Sequence, residues 1–532
     1  MNLQRIIILL LFIGLLAAPF ILQQRDRSPD ATAHDRNRKS RRLIILTPHN
    51  EQIRTEFKHA FEAWHQQNFT ETVEVIWSVP GGTSDITRML EAQVESALRS
   101  GNPVGGSADL MFGGGEYEHN KLKSPVVVRV RIDGRVEERS SSISQMIDFE
   151  QSWLDEIYGP NEIAGAKLYD PDRYWFGTAM SSFGIVYNND VLKHLGLPAP
   201  RDWSDLCHPG LRGWVASGNP NQSGSIQTAF DTILQYNGWE RGWQILRRLS
   251  ANSRYFAASS SRVPVDVSQG DAAAGVCIDF FGRFQVQVVS EAGDRDRLGY
   301  IDPPGQTTID ADPISMLRGA PEPELAKRFV EFTLTEQGQA LWQFRTRDIT
   351  GDRLGPIEFE LRRMPIRRVM YQTYAASFID DVNPFEAARP VESPNRDYRS
   401  FIAPLFSAMV LDNRAELVRA WNAIVNHPSY PHPHSASDDV IVTAADVADP
   451  ELKAMLQRFD AMPVIAGPAG AAYPLNGDPT ALAGVKAGWL AGGWREAGLW
   501  PAPASPVAAF REQAAAFFKH QYESITQPAD SR

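Results

Sequence analysis

The sequence alternates short apolar runs with amphipathic helical stretches, and it starts this alternation twice. Alternation of strand, turn and helix is typical of α/β folds with a largely parallel sheet. Two separate series therefore predict two α/β lobes within one chain. The strand-like runs are 43–46, 73–79 and 108–112 in the first series, and 184–187, 214–216 and 274–278 in the second.

The length of 532 residues suits several domains, because it exceeds what one compact core usually holds. Two further apolar runs flank the Pro/Gly/Asp-rich stretch 302–313, which we interpret as a crossing back to the first lobe. We place the other crossing near 176–182. The predicted divisions are 1–42 as an export signal or signal anchor with a polar tether, 43–178 as the first part of lobe 1, 179–309 as lobe 2, 310–389 as the return to lobe 1, and 390–532 as a mainly helical C-terminal region.

The N-terminus carries an unbroken apolar run, 6–22, directly after Arg5. This pattern is typical of a secretory signal or a short signal anchor. Cleavage stays open, since the small-x-small pattern 31–33 lies well beyond the run. We predict a periplasmic or cell-envelope location, with a tether to the inner membrane if the segment is retained.

Composition and motifs exclude several classes of protein. The net charge of −11 argues against a general nucleic-acid binder, which would carry a basic stripe. The two cysteines, Cys207 and Cys277, exclude a disulfide scaffold and leave either one disulfide or two buried thiols. Nucleophile-elbow, zinc-protease, Walker and dinucleotide motifs are absent from the sequence. We therefore predict no enzyme activity, no catalytic residues, no cofactor and no nucleic-acid partner.

Small hydroxyl residues and glycines recur at the turns of both series. In open α/β sheets ligands bind outside the carboxyl ends of the strands, where helix N-termini present free N–H groups. Each turn alone also fits ordinary helix capping. Glycine-containing hydroxyl turns in both series favour a ligand cleft, because glycine lets N–H groups approach an oxyanion. The candidate ligand-binding residues of this kind are Thr83, Ser84, Gly114, Ser181, Ser182, Ser223, Gly224, Ser225 and Ser260.

Four other residues complete the candidate site. Asp279 follows the strand-like run 274–278, where a carboxylate can receive an ammonium or hydroxyl group or pair with Arg283. Phe280 can pack on carbon atoms or on a cation. His49 and Asn50 lie in the turn after the first strand, where Asn50 fits a helix N-cap equally well. We expect the turns of the two lobes to face each other across a cleft.

A set of short motifs, specific in its order and spacing, resembles a known family. The motifs are Leu46–Glu51, Gly81–Ile86, Asp109–Gly115, Ser182–Asn188, Leu195–Pro198, Ser223–Ser225, Gln235–Trp239 and Ala326–Phe332. From about Leu43 to Arg368 the chain resembles the extracellular solute-binding proteins of ABC transporters, in the branch that includes ferric-ion binders. The resemblance implies an α/β, two-lobed type 2 periplasmic-binding-protein fold, here with a mainly helical C-terminal extension. It also implies a small-molecule ligand between the lobes and an ABC transporter permease as partner.

The resemblance also bears on the ligand. Ferric binders of this branch carry a tandem Tyr-Tyr where this sequence has Phe280-Phe281, and phenylalanine has no oxygen to coordinate a hard cation. We therefore predict no metal site and a small organic anion or zwitterion, such as a phosphonate, a phosphate ester or a carboxylate. Ferric-ion binding, with His49 and Glu51 as ligands, stays the alternative within the family. A membrane-tethered sensor or an enzyme on the same fold is the alternative from another class.

Overall fold

The computed structural model describes residues 40–69, 71–132, 135–347, 354–432, 440–467, 470–493 and 505–526. Residues 1–39 of the predicted export signal and tether lie outside these ranges. The predicted tether is too long at its end, because Arg41 and Arg42 already belong to the first strand. Over the described ranges, no helix combines the length and apolar character that a membrane span needs.

The first sheet has seven strands and forms the centre of lobe 1. Its order is Met364–Pro365, Phe176–Ser181, Asp310–Leu317, Leu110–Phe112, Arg41–Leu46 and Val73–Ser78, with Ser144–Gln145 paired to Asp310–Leu317. Three of these strands run parallel, with Arg41–Leu46 in the middle. Asp310–Leu317 runs antiparallel to both of its main neighbours. The sheet is therefore mixed.

The second sheet has five strands and repeats this plan in lobe 2. Its order is Ser253–Ala257, Val215–Gly218, Ala274–Ile278, Phe183–Asn188 and Leu298–Ile301. The first three strands are parallel, and Phe183–Asn188 runs antiparallel to both of its neighbours. In each sheet, one antiparallel strand thus separates a parallel trio from the remaining strands. The expectation of largely parallel sheets missed this strand.

The antiparallel strands arise where the chain passes between the lobes. Phe176–Ser181 belongs to lobe 1, and Phe183–Asn188 follows it in lobe 2 after the single residue Ser182. The return runs from Leu298–Ile301 through 302–309 to Asp310–Leu317. The predicted limit at 178 therefore falls inside a strand. Two crossings and two sheets of one plan confirm the predicted two-lobed fold.

Helices cover the sheets and form most of the C-terminal region. The helices of lobe 1 are Glu51–Phe69, Thr83–Ser100, Glu116–Lys123, Gln151–Tyr158, Pro323–Leu334 and Glu336–Gln343. Those of lobe 2 are Asn189–His194, Gly224–Asn252, Arg262–Gln269 and Asp279–Glu291, the longest of which contains a kink at Gly238. The main C-terminal helices are Tyr398–Phe406, Arg414–Val425, Pro450–Asp460, Pro479–Val485 and Pro506–Thr526. Shorter turns and a hairpin, Val126–Ile132 with Arg135–Ser141, complete the described chain.

The C-terminal region packs on the long helix of lobe 2, Gly224–Asn252. Two arginines of that helix are fully buried in this contact. Arg248 pairs with Asp460 at 2.6 Å, and Arg247 lies 5.2 Å from the centre of the Phe518 ring. Burying a cation is costly unless it is paired or held by polar and aromatic groups. These contacts make the C-terminal region part of the packing of lobe 2.

The two cysteines are both fully buried free thiols, and both lie in lobe 2. Burial raises the pKa of the Cys207 thiol to about 12. A thiol that stays protonated is a poor nucleophile and metal ligand. Of the two alternatives left by the sequence, the structure has the buried thiols.

Candidate functional site

A cavity of about 410 Å³ lies between the two lobes. It is found where strands of both sheets end, which is the usual place for a ligand in open α/β sheets. From lobe 1 its lining residues are Pro48, His49, Asn50, Val79, Gly81, Gly82, Thr83, Asp85, Gly114, Gly115, Asp310, Asp312 and Arg363. From lobe 2 they are Phe183, Ser223, Gly224, Ser225, Thr228, Ala258, Ser259, Ser260, Ser261, Ile278, Phe280 and Phe281.

Four helices begin at the wall of the cavity, two from each lobe. They are Thr83–Ser100, Glu116–Lys123, Gly224–Asn252 and Asp279–Glu291. The two helices of lobe 1 are preceded by Gly82 and Gly115, which have no side chain to cap the first turn. The first N–H groups of these helices are thus left for another acceptor, and each helix start carries a partial positive charge. The cavity wall therefore favours negative charge from both sides.

Hydroxyl groups of lobe 2 form a chain along the same wall. The Oγ atoms of Ser223 and Ser225 lie 3.1 Å apart, and those of Ser225 and Ser260 lie 2.7 Å apart. Ser223 also caps its helix, since its Oγ accepts from the N–H of Ile226. A serine hydroxyl can donate one hydrogen bond and accept others. At least one of these linked serine hydroxyls can therefore donate a hydrogen bond to an oxygen atom in the cavity.

The two lobes are in contact at the edge of the cavity. A Cβ on Gly82 of lobe 1 would lie 2.5 Å from the carbonyl oxygen of Gln222 of lobe 2. A Cβ on Gly224 of lobe 2 would lie 3.3 Å from the Cβ of Thr83 of lobe 1. The structure is therefore a closed form, in which glycines allow the two helix starts to meet.

Arg363 is a buried cation in the cavity wall. Its Nη1 donates to Oδ2 of Asp312 at 2.7 Å, and its Nη2 donates to Oγ of Ser181 at 2.7 Å. Its guanidinium carbon lies 4.3 Å from the centre of the Phe280 ring, which belongs to lobe 2. A cation over an aromatic face is an attractive contact when little water is present. Arg363 thus joins the two lobes at the back of the cavity.

Asp312 is the anion that balances Arg363. Its Oδ1 accepts from the N–H of Gly114 at 3.0 Å, and its Oδ2 lies 2.9 Å from Nε2 of His49. Burial acts to raise the pKa of Asp312, but the Arg363 guanidinium and then His49 hold that pKa below its usual range. Burial lowers the pKa of His49, so its ring is neutral at pH 7. Asp312 and Arg363 together leave this part of the wall without net charge.

A second group of charges lies near the starts of the helices Glu116–Lys123 and Gly224–Asn252. Oε1 of Glu118 accepts from Nη2 of Arg399 at 3.0 Å, and Nη1 of Arg399 donates to Oγ1 of Thr228 at 2.9 Å. Burial, and then the nearby Glu116, raise the pKa of Asp310 to about 8. At pH 7 the carboxyl group of Asp310 therefore keeps its proton, which it can donate to an anion.

Most of the residues predicted from the sequence line this one cavity. They are His49, Asn50, Thr83, Gly114, Ser223, Gly224, Ser225, Ser260 and Phe280. The side chain of Asn50 also caps the next helix, where its Oδ1 accepts from the N–H of Ile53 at 3.2 Å. Contact of these residues with a ligand stays a prediction.

Three predicted serines do not belong to the lining. Ser84 lies in the first turn of its helix, next to Thr83, and is half-buried outside the lining. The hydroxyl oxygen of Ser181 accepts a hydrogen bond from Nη2 of Arg363. The hydroxyl of Ser182, at the crossing between the lobes, donates to Oδ1 of Asp302 at 2.7 Å. Ser181 and Ser182 thus support the wall and the crossing.

Asp279 is also absent from the lining, and it is completely buried. Neither of its carboxylate oxygens has a hydrogen-bond partner. The predicted alternative partner, Arg283, instead pairs with Asp302 at 2.5 Å. Burial raises the pKa of Asp279 to about 7. The structure therefore places Asp279 behind the wall that Phe280 forms.

Sequence reasoning missed three charged residues of the wall, Asp310, Asp312 and Arg363. It also missed the buried ion pair between Glu118 and Arg399 next to the wall. Asp310 and Asp312 alternate with small residues at the start of an otherwise apolar strand, directly after the crossing 302–309. Arg363 lies in a short basic cluster, Arg362–Arg368, that ends the family-like part of the chain. Acidic residues at a strand start and a basic cluster are signals that could have led to these positions.

Over the described ranges, no three His, Cys, Asp or Glu side chains come together in a group that could hold an ion. Phe280 and Phe281, which stand where ferric binders have tyrosines, both line the cavity, and their rings lie 4.1 Å apart. The side-chain oxygens of the lining belong to hydroxyl groups of serines and threonines, to the amide of Asn50 and to the carboxyl groups of Asp85, Asp310 and Asp312.

A cavity between two lobes, with helix starts on both sides, is an arrangement that suits the binding of a small solute. The comparison with protein families agrees, since residues 145–347 match the family of bacterial extracellular solute-binding proteins. This segment contains both crossings and the whole of lobe 2. Residues 145–347 therefore contain a segment similar to the bacterial extracellular solute-binding proteins.

Individual relatives are distant. The Phosphoglycerate transport regulatory protein PgtC of Salmonella typhimurium is 24% identical over 163 residues, which are 31% of this chain. The match spans about two fifths of that relative, or 39% of its length. The periplasmic binding protein AfuA of Actinobacillus pleuropneumoniae, with fructose-6-phosphate bound, has 16% identity and a TM-score of 0.49, over 72% of this chain and 98% of AfuA. Iron-bound HitA of Pseudomonas aeruginosa has 14% identity and a TM-score of 0.45, over 66% and 94%.

Proposed function

We propose that this protein is the periplasmic solute-binding component of an ABC importer and that its solute is a small organic anion, foremost a phosphate ester. It binds the solute between its lobes and delivers it to a membrane permease. The mechanism is hinge closure about the two crossings, with no covalent chemistry. The observation that carries the proposal is that helix starts from both lobes meet at one cavity.

The charges of the wall support an anion as the solute. Asp312 and Arg363 cancel each other, Asp85 is paired with Arg88, His49 is neutral, and the pKa of Asp310 is raised so that its carboxyl group stays protonated. The helix starts at Thr83 and Gly224 then dominate the local field with their partial positive charge. A phosphate group offers several oxygens that can accept from such N–H groups at once. The volume of about 410 Å³ suits a small solute.

A ligand screen tests the proposal directly. The purified protein is first examined by native mass spectrometry for a solute that it carries along. A thermal-shift panel follows, with phosphoglycerate, sugar phosphates, phosphonates, dicarboxylates, polyamines and ferric salts. We expect stabilisation by phosphate esters, since a solute that binds only the folded protein raises its melting temperature. Stabilisation by polyamines or ferric salts alone would contradict the proposed solute class.

Ser225 provides a direct test of the hydroxyl chain. Ser225→Ala removes the central hydroxyl between Ser223 and Ser260, and with it a donor to a charged oxygen. A hydrogen bond to a charged group contributes roughly 1.5–3 kcal/mol, so the affinity for the phosphate ester should fall about tenfold to a hundredfold. Calorimetric titration measures this change. Ser96→Ala, on an exposed face of a lobe 1 helix, is the matched control and should bind as the unchanged protein does.

Asp310 predicts how binding depends on pH. Its pKa is about 8 in the folded protein, so its carboxyl group is neutral below that pH and loses its proton above it. Deprotonation places a negative charge in the wall, and the affinity for an anion should therefore decrease as the pH rises from 6 to 9. Asp310→Asn should flatten this profile over the same range.

The stability of the ligand-free protein should also decrease as the pH rises. In the folded protein Asp310 keeps its proton up to about pH 8, whereas the unfolded chain loses it near pH 4. The contribution of Asp310 to the free energy of unfolding therefore decreases as the pH rises toward 8.

Equal pH profiles of binding for the unchanged protein and Asp310→Asn would show that Asp310 does not face the solute.

A further inference from the structure

The C-terminal extension reaches into the contact between the two lobes. Arg399 lies in the helix Tyr398–Phe406, beyond the part of the chain that matches the solute-binding family. Its guanidinium group nevertheless bonds to lobe 1 at Glu118 and to lobe 2 at Thr228, with N–O distances of 3.0 and 2.9 Å. The side chains of Arg399 and Glu118 are 8% and 4% exposed, so this ion pair is nearly dry.

The extension is fastened to lobe 2 just before Arg399. The side-chain amide of Gln235 donates to the carbonyl of Asn395 at 2.9 Å, and its Oε1 accepts from the N–H of Asn395 at 2.9 Å. Lys486 holds Asp397 at 2.7 Å from within the extension. These bonds fix the segment that carries Arg399 to the long helix of lobe 2. The hydrogen bond from Arg399 to Glu118 therefore connects lobe 1 to a segment that is fixed to lobe 2.

This bond also lies at the point where the lobes touch. A Cβ on Gly224, at the start of the lobe 2 helix, would lie 3.3 Å from Oε1 of Glu118. The guanidinium carbon of Arg399 lies 4.5 Å from the centre of the Tyr117 ring, also in lobe 1. Opening of the hinge separates these groups, so Glu118 and Arg399 exchange their bond for water whenever the lobes part.

We infer that Arg399 acts as a latch, by which the C-terminal extension stabilises the closed form of the two lobes. The latch is a positioning residue and does not contact the cavity itself. It acts through Glu118 and Thr228, which stand at the two helix starts. Its positive charge is stabilised by nearby acidic groups, foremost Glu118, which raise the pKa of Arg399 against the effect of burial. The inference concerns closure alone and holds for any solute that the cavity takes.

Distance measurement between the lobes tests the latch. Spin labels are attached to Ala92→Cys in lobe 1 and Lys193→Cys in lobe 2, both exposed positions, while the native cysteines are buried. The distance distribution is recorded by pulsed electron paramagnetic resonance on the full-length protein without added ligand. We expect a population at the closed distance in the unchanged protein and a shift of at least half of it to longer distance in Arg399→Gln.

Two further variants complete the experiment. Glu118→Gln removes the same ion pair from the lobe 1 side and should open the lobes to a similar extent, which keeps the test decisive if Arg399→Gln folds poorly. Arg419→Gln removes a charge from an exposed position of the same extension and should leave the distances unchanged. Folding of each variant is checked by circular dichroism. The inference is overturned if folded Arg399→Gln and Glu118→Gln keep the distances of the unchanged protein, or if the unchanged protein has no closed population.

Discussion

Replacing Arg363 by glutamine should lower the free energy of unfolding by roughly 3–5 kcal/mol, because it leaves Asp312 as a buried charge without its partner. Arg363 is 1% exposed, and it binds Asp312 and Ser181 while covering the Phe280 ring. Its loss removes all three contacts. Urea denaturation followed by circular dichroism measures the change.

Two controls separate the buried pair from a general loss of charge. Arg419→Gln, at a side chain 58% exposed, should change the unfolding free energy by less than about 0.5 kcal/mol. The double variant Arg363→Gln with Asp312→Asn should cost less than the sum of the single changes, because neither charge is then left alone. A loss below about 1 kcal/mol for Arg363→Gln would contradict the network described here.

Gly82→Ala should open the lobes while leaving each lobe folded. The backbone of Gly82 has φ −71° and ψ 171°, which alanine adopts without strain. Its new Cβ, however, would lie 2.5 Å from the carbonyl oxygen of Gln222 in the other lobe. Overpacking costs about 1–3 kcal/mol, and we expect the upper end because a backbone atom cannot swing aside. The equilibrium between closed and open forms should therefore shift by about a hundredfold toward the open form.

Small-angle X-ray scattering and ligand titration check this variant. The radius of gyration should increase, and the affinity for the phosphate ester should fall with the population of the closed form. Gly81→Ala is the matched control, because its Cβ would meet only Asp85 of the same lobe, at 2.8 Å from the carboxylate and 2.9 Å from the Cβ, so that any strain stays within lobe 1. A closed Gly82→Ala protein with unchanged affinity would show that this contact does not govern closure.

The sequence predicts well those parts of the fold that depend on patterns among neighbouring residues. The run Ala274–Ile278 is entirely apolar, and its predicted limits match the observed strand. The glycine and hydroxyl turns before Thr83 and Gly224 also lie where strand–turn–helix order requires, at the cavity. Periodicity and turn chemistry are properties of neighbouring residues, which is why they survive in a single sequence.

Features that depend on distant parts of the chain were missed. The strand Phe176–Ser181 contains the small residues Gly177, Thr178 and Ala179, and its β-structure comes from pairing with a strand some 130 residues later. The wall residues Asp312 and Arg363 become a pair only after the second crossing has brought the chain back to lobe 1. No local pattern encodes such a pairing.

The packing of the C-terminal region on lobe 2 has a consequence for how the chain folds during synthesis. Phe518 of the last described helix, Pro506–Thr526, covers Arg247 of the long lobe 2 helix, and Tyr522 is fully buried nearby. Lobe 2 therefore cannot complete its core until more than 250 further residues have left the ribosome, since Phe518 lies that far beyond Arg247 in the sequence. Until the helix Pro506–Thr526 has been synthesised, the part of lobe 2 around Arg247 therefore lacks this cover.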